Sequence, residues 1–212
     1  MSDWLHGVRV PPLNIRDLRD LAVTIRSGSQ LDERAPFPVL HFLEWTMHEL
    51  RDGFDWEIVE SLSDGDEARA YPDGAPHYPD GPLIQMLPQV YDAASQNKGR
   101  PRLTILHECG HVLLHQHVSV HHRGLVGAAL ATWENSEWQA SQFAAELLMP
   151  VQSLQTQVDL ETYVEQMGVS REAACNRALQ LERTLRMSLP PWPVTVNASS
   201  HKRKGGAAMK YG

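Results

Sequence analysis

The chain has 212 residues, 42% of them hydrophobic and 21% charged, a globular composition that excludes disorder along its whole length. Two cysteines, Cys109 and Cys175, exclude a disulfide scaffold, and a net charge of -7 argues against a surface built to hold phosphate backbones. The apolar-leaning run 124–133 is too short for a bilayer span of about 20 residues, and the sequence opens with no basic-then-apolar leader, so a cytoplasmic protein is expected.

Leu13, Ile15, Leu18, Leu21, Ala22 and Ile25 recur at spacings of three and four behind the stiff Pro11-Pro12 pair. This predicts an amphipathic helix ended by Ser27-Gly28-Ser29. A second helix is predicted after Pro38, through Phe42 and Met47 to about Leu50, with Asp52-Gly53 as its stop. The stretches 56–59, 68–71 and 83–87 read as short strands, bounded by turn residues that include Pro72-Asp73-Gly74 and Pro79-Asp80-Gly81. Pro88 opens a helix closed by Asn97-Lys98-Gly99, and Pro101 opens the next. That helix carries Leu103, Leu106, Val112, Leu113 and Leu114 beside its histidines, so it reads as largely buried with one polar stripe. After a Gly/Ala-rich loop, 136–149 reads as a further buried helix stopped by Pro150, and 160–187 as two helices broken at Gly168-Val169-Ser170. From Pro190 onward prolines precede a polar tail with Lys202, Arg203, Lys204 and Lys210, expected to be disordered. Without those four positive charges the remainder carries -11.

Six of the 11 histidines (His107, His111, His115, His117, His121 and His122) fall within sixteen residues. Among them His107-Glu108-Cys109-Gly110-His111 fits the pattern H-E-x-x-H on a predicted helix. Residues four apart share a helix face with their Cβ atoms about 5–6 Å apart, so both imidazoles can meet one zinc ion. Glu108, next to that face, could reach a water at the metal and take its proton. The same five residues also fit a solvated polar stripe, so a third ligand decides between the two readings.

His117 is one candidate, since His107, His111 and His117 have the spacing of H-E-x-x-H-x-x-G-x-x-H. Leu114 stands where that pattern needs a turning glycine, and no Met-turn follows. His115 lies a further turn along and cannot easily meet an ion held by the preceding pair, and Cys109 points away from His107. The other candidate lies on the next helix, where Glu137 and Ser141 share a face and Trp138, Phe143, Ala144, Leu147 and Leu148 could pack it against the histidine helix. Ser141 then either orients a ligand histidine or is an exposed helix serine. Glu146, nine residues from Glu137, faces elsewhere and reads as a helix-surface or structural carboxylate.

The run from Arg100 through the His107–His115 block, followed by Glu137 and the block from Phe143 to Pro150, resembles the ImmA/IrrE family of metallopeptidases over roughly residues 55–185. The resemblance implies an α+β, zincin-like fold of the gluzincin kind. In it a small, mostly antiparallel sheet packs against an active-site helix and a third-ligand helix, with further helices at both ends. It also implies Zn2+ held by His107, His111 and Glu137, with Glu108 as the catalytic base. The implied function is cleavage of a helix-turn-helix repressor and derepression of stress, mobile-element or phage genes. Two residues depart from the family pattern: Cys109 replaces an apolar residue such as leucine, and Ser141 replaces the more usual asparagine or aspartate. The organisation expected is a helical segment over 1–54 packed on the core, a peptidase domain over 55–189 that includes the C-terminal helical hairpin, and a basic tail over 190–212.

His115, His121, His122 and Tyr78 each read either as a stabiliser of a tetrahedral oxyanion or as a surface residue, and the sequence does not choose among them. The stretch 83–87 is either an edge strand that pairs with extended substrate or an internal strand. The Gly168-Val169-Ser170 break also resembles a helix-turn-helix, with Arg171, Arg177 and Arg183 on its second helix beside Glu172 and Glu182. The alternative function is therefore a non-proteolytic regulator that binds a partner protein or DNA through its C-terminal helices, although a sequestering module would not require Glu108. No membrane contact and no direct nucleic-acid binding are expected. Histidine and carboxylate ligands suit several divalent ions besides zinc.

Overall fold

The computed structural model describes residues 7–32, 34–116, 130–155, 159–185 and 192. Asn14 starts α1 (Ile15–Gly28): its side chain accepts from the backbone N–H groups of Arg16 and Asp17, and the Asp17 carboxylate accepts from the N–H of Asn14. This reciprocal cap satisfies donors that a first turn otherwise leaves orphaned. The predicted stripe buries Leu18, Ala22 and Ile25. After Pro38, α2 (Val39–His41), a π turn over Phe42–Thr46 and α3 (Met47–Leu50) form one helical run that buries Phe42, Leu43 and Met47.

The strands β1 (Asp55–Ile58), β2 (Ala68–Tyr71) and β3 (Leu83–Met86) form one sheet in the order β1-β3-β2. β3 pairs parallel with β1, Trp56 opposite Ile84, and antiparallel with β2, Ala70 opposite Ile84. The sheet is therefore mixed, where a mostly antiparallel one was expected. The chain crosses from β1 to the far edge before β3 fills the gap, and β3 then runs in the direction of β1. Every residue of β3 is buried, so 83–87 is the internal strand rather than a substrate-pairing edge.

Pro88 occupies the first position of α4 (Pro88–Ser95). α5 (Gly99–Leu114) begins two residues before the expected start, which leaves Pro101 inside its first turn, where a missing N–H breaks no helical hydrogen bond. The loop into α6 (Ser136–Leu148) ends with Asn135, whose side chain accepts from the Trp138 N–H. The segment before α1 runs alongside this start: Val10 donates to the Glu134 carbonyl and Leu13 to that of Trp133. α5 packs against α6 more extensively than any other described pair of elements. Gly110 permits their approach, since a Cβ there would lie 3.1 Å from Ala140 Cα. α1 also packs on α6, while α4 and β2 pack on α5.

Buried arginines tie these layers together. Arg26 of α1 donates to the Leu147 carbonyl at the end of α6. Arg102 of α5 donates to the carbonyls of Phe37, Met167 and Gly168, at the point where α8 (Leu160–Met167) ends on Gly168 with φ +59°. Between α6 and α8 lies the short helix α7 (Val151–Gln155), and α9 (Arg171–Leu185) follows α8. Glu146 bridges Arg19 of α1 and Arg177 of α9, so of its two readings it is the structural carboxylate and not a helix-surface one. Trp192, from the stretch expected as a tail, is buried against the Tyr163 ring, while the rest of 190–212 lies outside the described residues. Among the described residues no helix is long and apolar enough to cross a membrane.

Candidate metal centre

One turn of α5 separates His107 from His111, and the first turn of α6 faces both with Glu137. His107 Nε2 lies 3.0 Å from His111 Nε2 and 3.2 Å from Glu137 Oε2, and His111 Nε2 lies 3.4 Å from Glu137 Oε1. For a tetrahedral ion with bonds of about 2.0–2.1 Å, neighbouring donor atoms stand about 3.3 Å apart. The three distances match that spacing, and two imidazoles with one carboxylate are a donor set suited to a divalent ion, so the residues fit a metal.

Burial alone would raise the pKa of Glu137. The hydrogen bonds with His107 and His111 outweigh that effect and hold it well below the usual carboxylate range, so the group is ionised. Glu108 follows His107 on α5 and is buried, and no hydrogen bond ties its carboxylate among the described residues. Ser141 Oγ lies 3.0 Å from His107 Nδ1, so this serine does sit behind a candidate ligand instead of facing solvent. Cys109 is fully buried in the core, and burial, followed by the neighbouring Glu108 charge, pushes its thiol pKa up.

His115 stays off the three-residue group. Its Nδ1 lies 2.9 Å from His111 Nδ1, and its Nε2 lies 3.1 Å from Gln139 Oε1. Burial, with His111 alongside, lowers its pKa to about 3. His115, named above as an oxyanion candidate, lies instead behind His111, and Gln139 was not singled out in the sequence. For His115 the signal was its place four residues after His111 on the same stripe; Gln139 had none. The Tyr78 hydroxyl donates to the Gly53 carbonyl over 3.4 Å. His117, His121 and His122 lie outside the described residues. On the C-terminal hairpin, Arg177 is buried in its pair with Glu146 and Arg171 pairs with Glu161, whereas Arg183 is exposed.

The model of the Peptidase M78 family, the IrrE N-terminal-like domain, matches residues 70–179, more than half of the chain. A solved structure of a Mycobacterium tuberculosis transcriptional regulator is similar in fold, with a TM-score of 0.50 at 19% identity over 80% of this chain and 48% of that one. The chain thus spans about half the length of that regulator. No curated protein matches the chain significantly.

Proposed function

The chain belongs to the Peptidase M78 (IrrE N-terminal-like) metallopeptidase family, and on that premise we propose that it is a zinc-dependent endopeptidase of narrow specificity. Its substrate would be a helix-turn-helix transcriptional repressor, whose cleavage derepresses stress, mobile-element or phage genes. The observation that carries this reading is the convergence of His107, His111 and Glu137 at tetrahedral spacing, with Glu108 beside them.

In this proposal His107, His111 and Glu137 hold the ion. Zinc there supplies a lowered water pKa, about 7, and a polarised peptide carbonyl. Glu108 takes the proton of the attacking water and hands it to the leaving amine nitrogen. Ser141 fixes the ring of His107. An extended substrate would pair with β2, the edge strand packed on α5, and not with internal β3. The segment 1–54 would act as a scaffold for a catalytic core over 55–189, in a cytoplasmic protein. The burial of Arg177 against Glu146 favours a structural role for α8 and α9 over DNA reading or partner capture.

The test co-expresses the chain with a neighbouring repressor and compares it with Glu108→Gln, measuring zinc content and repressor cleavage together. Retained zinc with abolished cleavage is the expected result. Cleavage by the glutamine variant at the wild-type rate overturns the mechanism.

A further inference from the structure

Among the described residues three arginines are buried, and their charges are met in different ways. Arg177 has the Glu146 carboxylate, and Arg26, besides its carbonyl partners, places its guanidinium carbon 5.6 Å from the centre of the Phe37 ring. Arg102, only 4% exposed, has neither. Its Nη1 donates to the carbonyls of Met167 and Gly168 and its Nη2 to that of Phe37, so Nε–H and one N–H of Nη2 have no acceptor among the described residues. Burial lowers its pKa with no opposite charge to offset the cost, yet a guanidinium stays charged. Arg102 borders a cavity of about 360 Å³ whose lining is otherwise largely apolar, with Pro36, Phe37, Val39 and Leu40 from the stretch that enters α2 and Asn97 from just past α4. The Asn97 carboxamide and the Arg102 guanidinium meet at Gly168, where an added Cβ would strike both. Arg102 stands five residues before His107 on α5, about 140° round the helix, so it points away from the face that carries the metal centre.

We propose that this cavity is a second binding site, for a small organic carboxylate with an apolar body. The carboxylate takes the N–H groups of Arg102 that the main chain leaves unused and supplies the counter-charge that the fold does not. An Nε–H and an Nη2–H together are donors that one carboxylate can accept with both oxygens, which makes the pairing strong as well as directional. The apolar body rests on Pro36, Val39 and Leu40, and the Asn97 carboxamide adds a polar contact beside the guanidinium. A volume of this size lies in the range of small-molecule sites, where an apolar lining binds and a few polar groups orient. The site does not depend on the metal ligands, since its only contribution from α5 is Arg102, on the far face of that helix.

The experiment titrates the full chain, with and without zinc, by calorimetry with benzoate, with its neutral isostere benzamide and with inorganic phosphate, an anion that has no apolar body. Benzoate should bind saturably at one site under both conditions and shift the Arg102 Nε–H resonance. Benzamide and phosphate should each bind at least about tenfold more weakly. Replacing Arg102 would also strand three carbonyls, so the variant used is Asn97→Asp, at an exposed position with φ +63°, a conformation that aspartate tolerates. Its carboxylate stands beside the guanidinium and competes with the ligand, so benzoate affinity should fall at least about tenfold while circular dichroism stays that of wild type. No saturable benzoate binding to wild type overturns the proposal, and that result needs no variant to fold. Binding that requires zinc places the carboxylate on the metal and overturns it too, as does saturation that leaves the Arg102 Nε–H resonance unmoved. Phosphate or benzamide binding as tightly as benzoate overturns the assigned ligand class. A folded Asn97→Asp with wild-type benzoate affinity overturns the placement of the site.

Discussion

α6 carries two acidic side chains nine residues apart, and they meet opposite kinds of partner. Glu146 is almost inaccessible, its side chain 1% exposed, and is held by two guanidinium groups, Arg19 and Arg177. Glu137 is 29% exposed at the side chain and is held by two imidazoles that need no charge to make their contacts. The first cluster has its cations built in and closes on itself. The second gathers one negative charge and two nitrogen donors around a point where a cation fits, at the partly open end of the helix. Buried charge that is matched within the protein is structural, whereas ligand atoms left converging on an open point mark a site.

The sharpest way to break this contrast is to remove each carboxylate in turn. Glu146→Ala strands two arginines, one of them fully buried, and should destabilise the fold by about 3–5 kcal/mol in denaturant unfolding, while folded molecules keep their zinc affinity. Glu137→Ala should reverse that pattern. Its metal-free form should unfold near the wild-type midpoint, but it should lose bound zinc by elemental analysis. It should also lose the stabilisation of about 2.7 kcal/mol that wild type gains when free zinc exceeds its dissociation constant a hundredfold. His117→Ala should retain zinc in the same assay. If His117→Ala alone loses the metal, the third ligand is misassigned and the comparison fails.

The histidine pair was legible in the sequence because helical periodicity and a four-residue spacing are local, whereas spacing left the third ligand open between His117 and Glu137 and only the family resemblance pointed to Glu137. Helix limits were legible from Pro38, Pro88, Pro150 and Gly168, whose backbone constraints act on the spot. The sheet order was not, since four-residue strands carry no mark of who their neighbour is, and β3 was open to either an edge or an interior reading. The arginines were also hidden. Nothing local in the sequence marks Arg26, Arg102 and Arg177 as buried, because the carbonyls and the Glu146 carboxylate that hold them come from other elements. Gln139 was silent for a related reason: one of its carbonyl partners, Pro11, is 128 residues away.

The smallest expected effect tests what brings the ligand helices together. Gly110 lies between the two clusters along the α5–α6 contact, and an added Cβ would meet Ala140 Cα and Phe143 Cδ1 at 3.1 Å and the Ala140 carbonyl oxygen at 3.2 Å. Alanine in a helix gains about 0.4–1 kcal/mol over glycine by restricting the unfolded chain, but overpacking a tight interface costs about 1–3 kcal/mol. The contacts are mostly backbone, which yields less easily than a side-chain tip, so Gly110→Ala should lose about 1 kcal/mol net in urea unfolding. The strain should also part the helices by a few tenths of an ångström. The metal centre depends on distances across that gap, while Glu146 is braced from α1 and α9. Zinc affinity should therefore fall a few-fold, and Glu146→Ala should cost as much in the Gly110→Ala background as in wild type. A stability gain with unchanged zinc affinity would mean that the close approach at Gly110 does not set the spacing of the ligands.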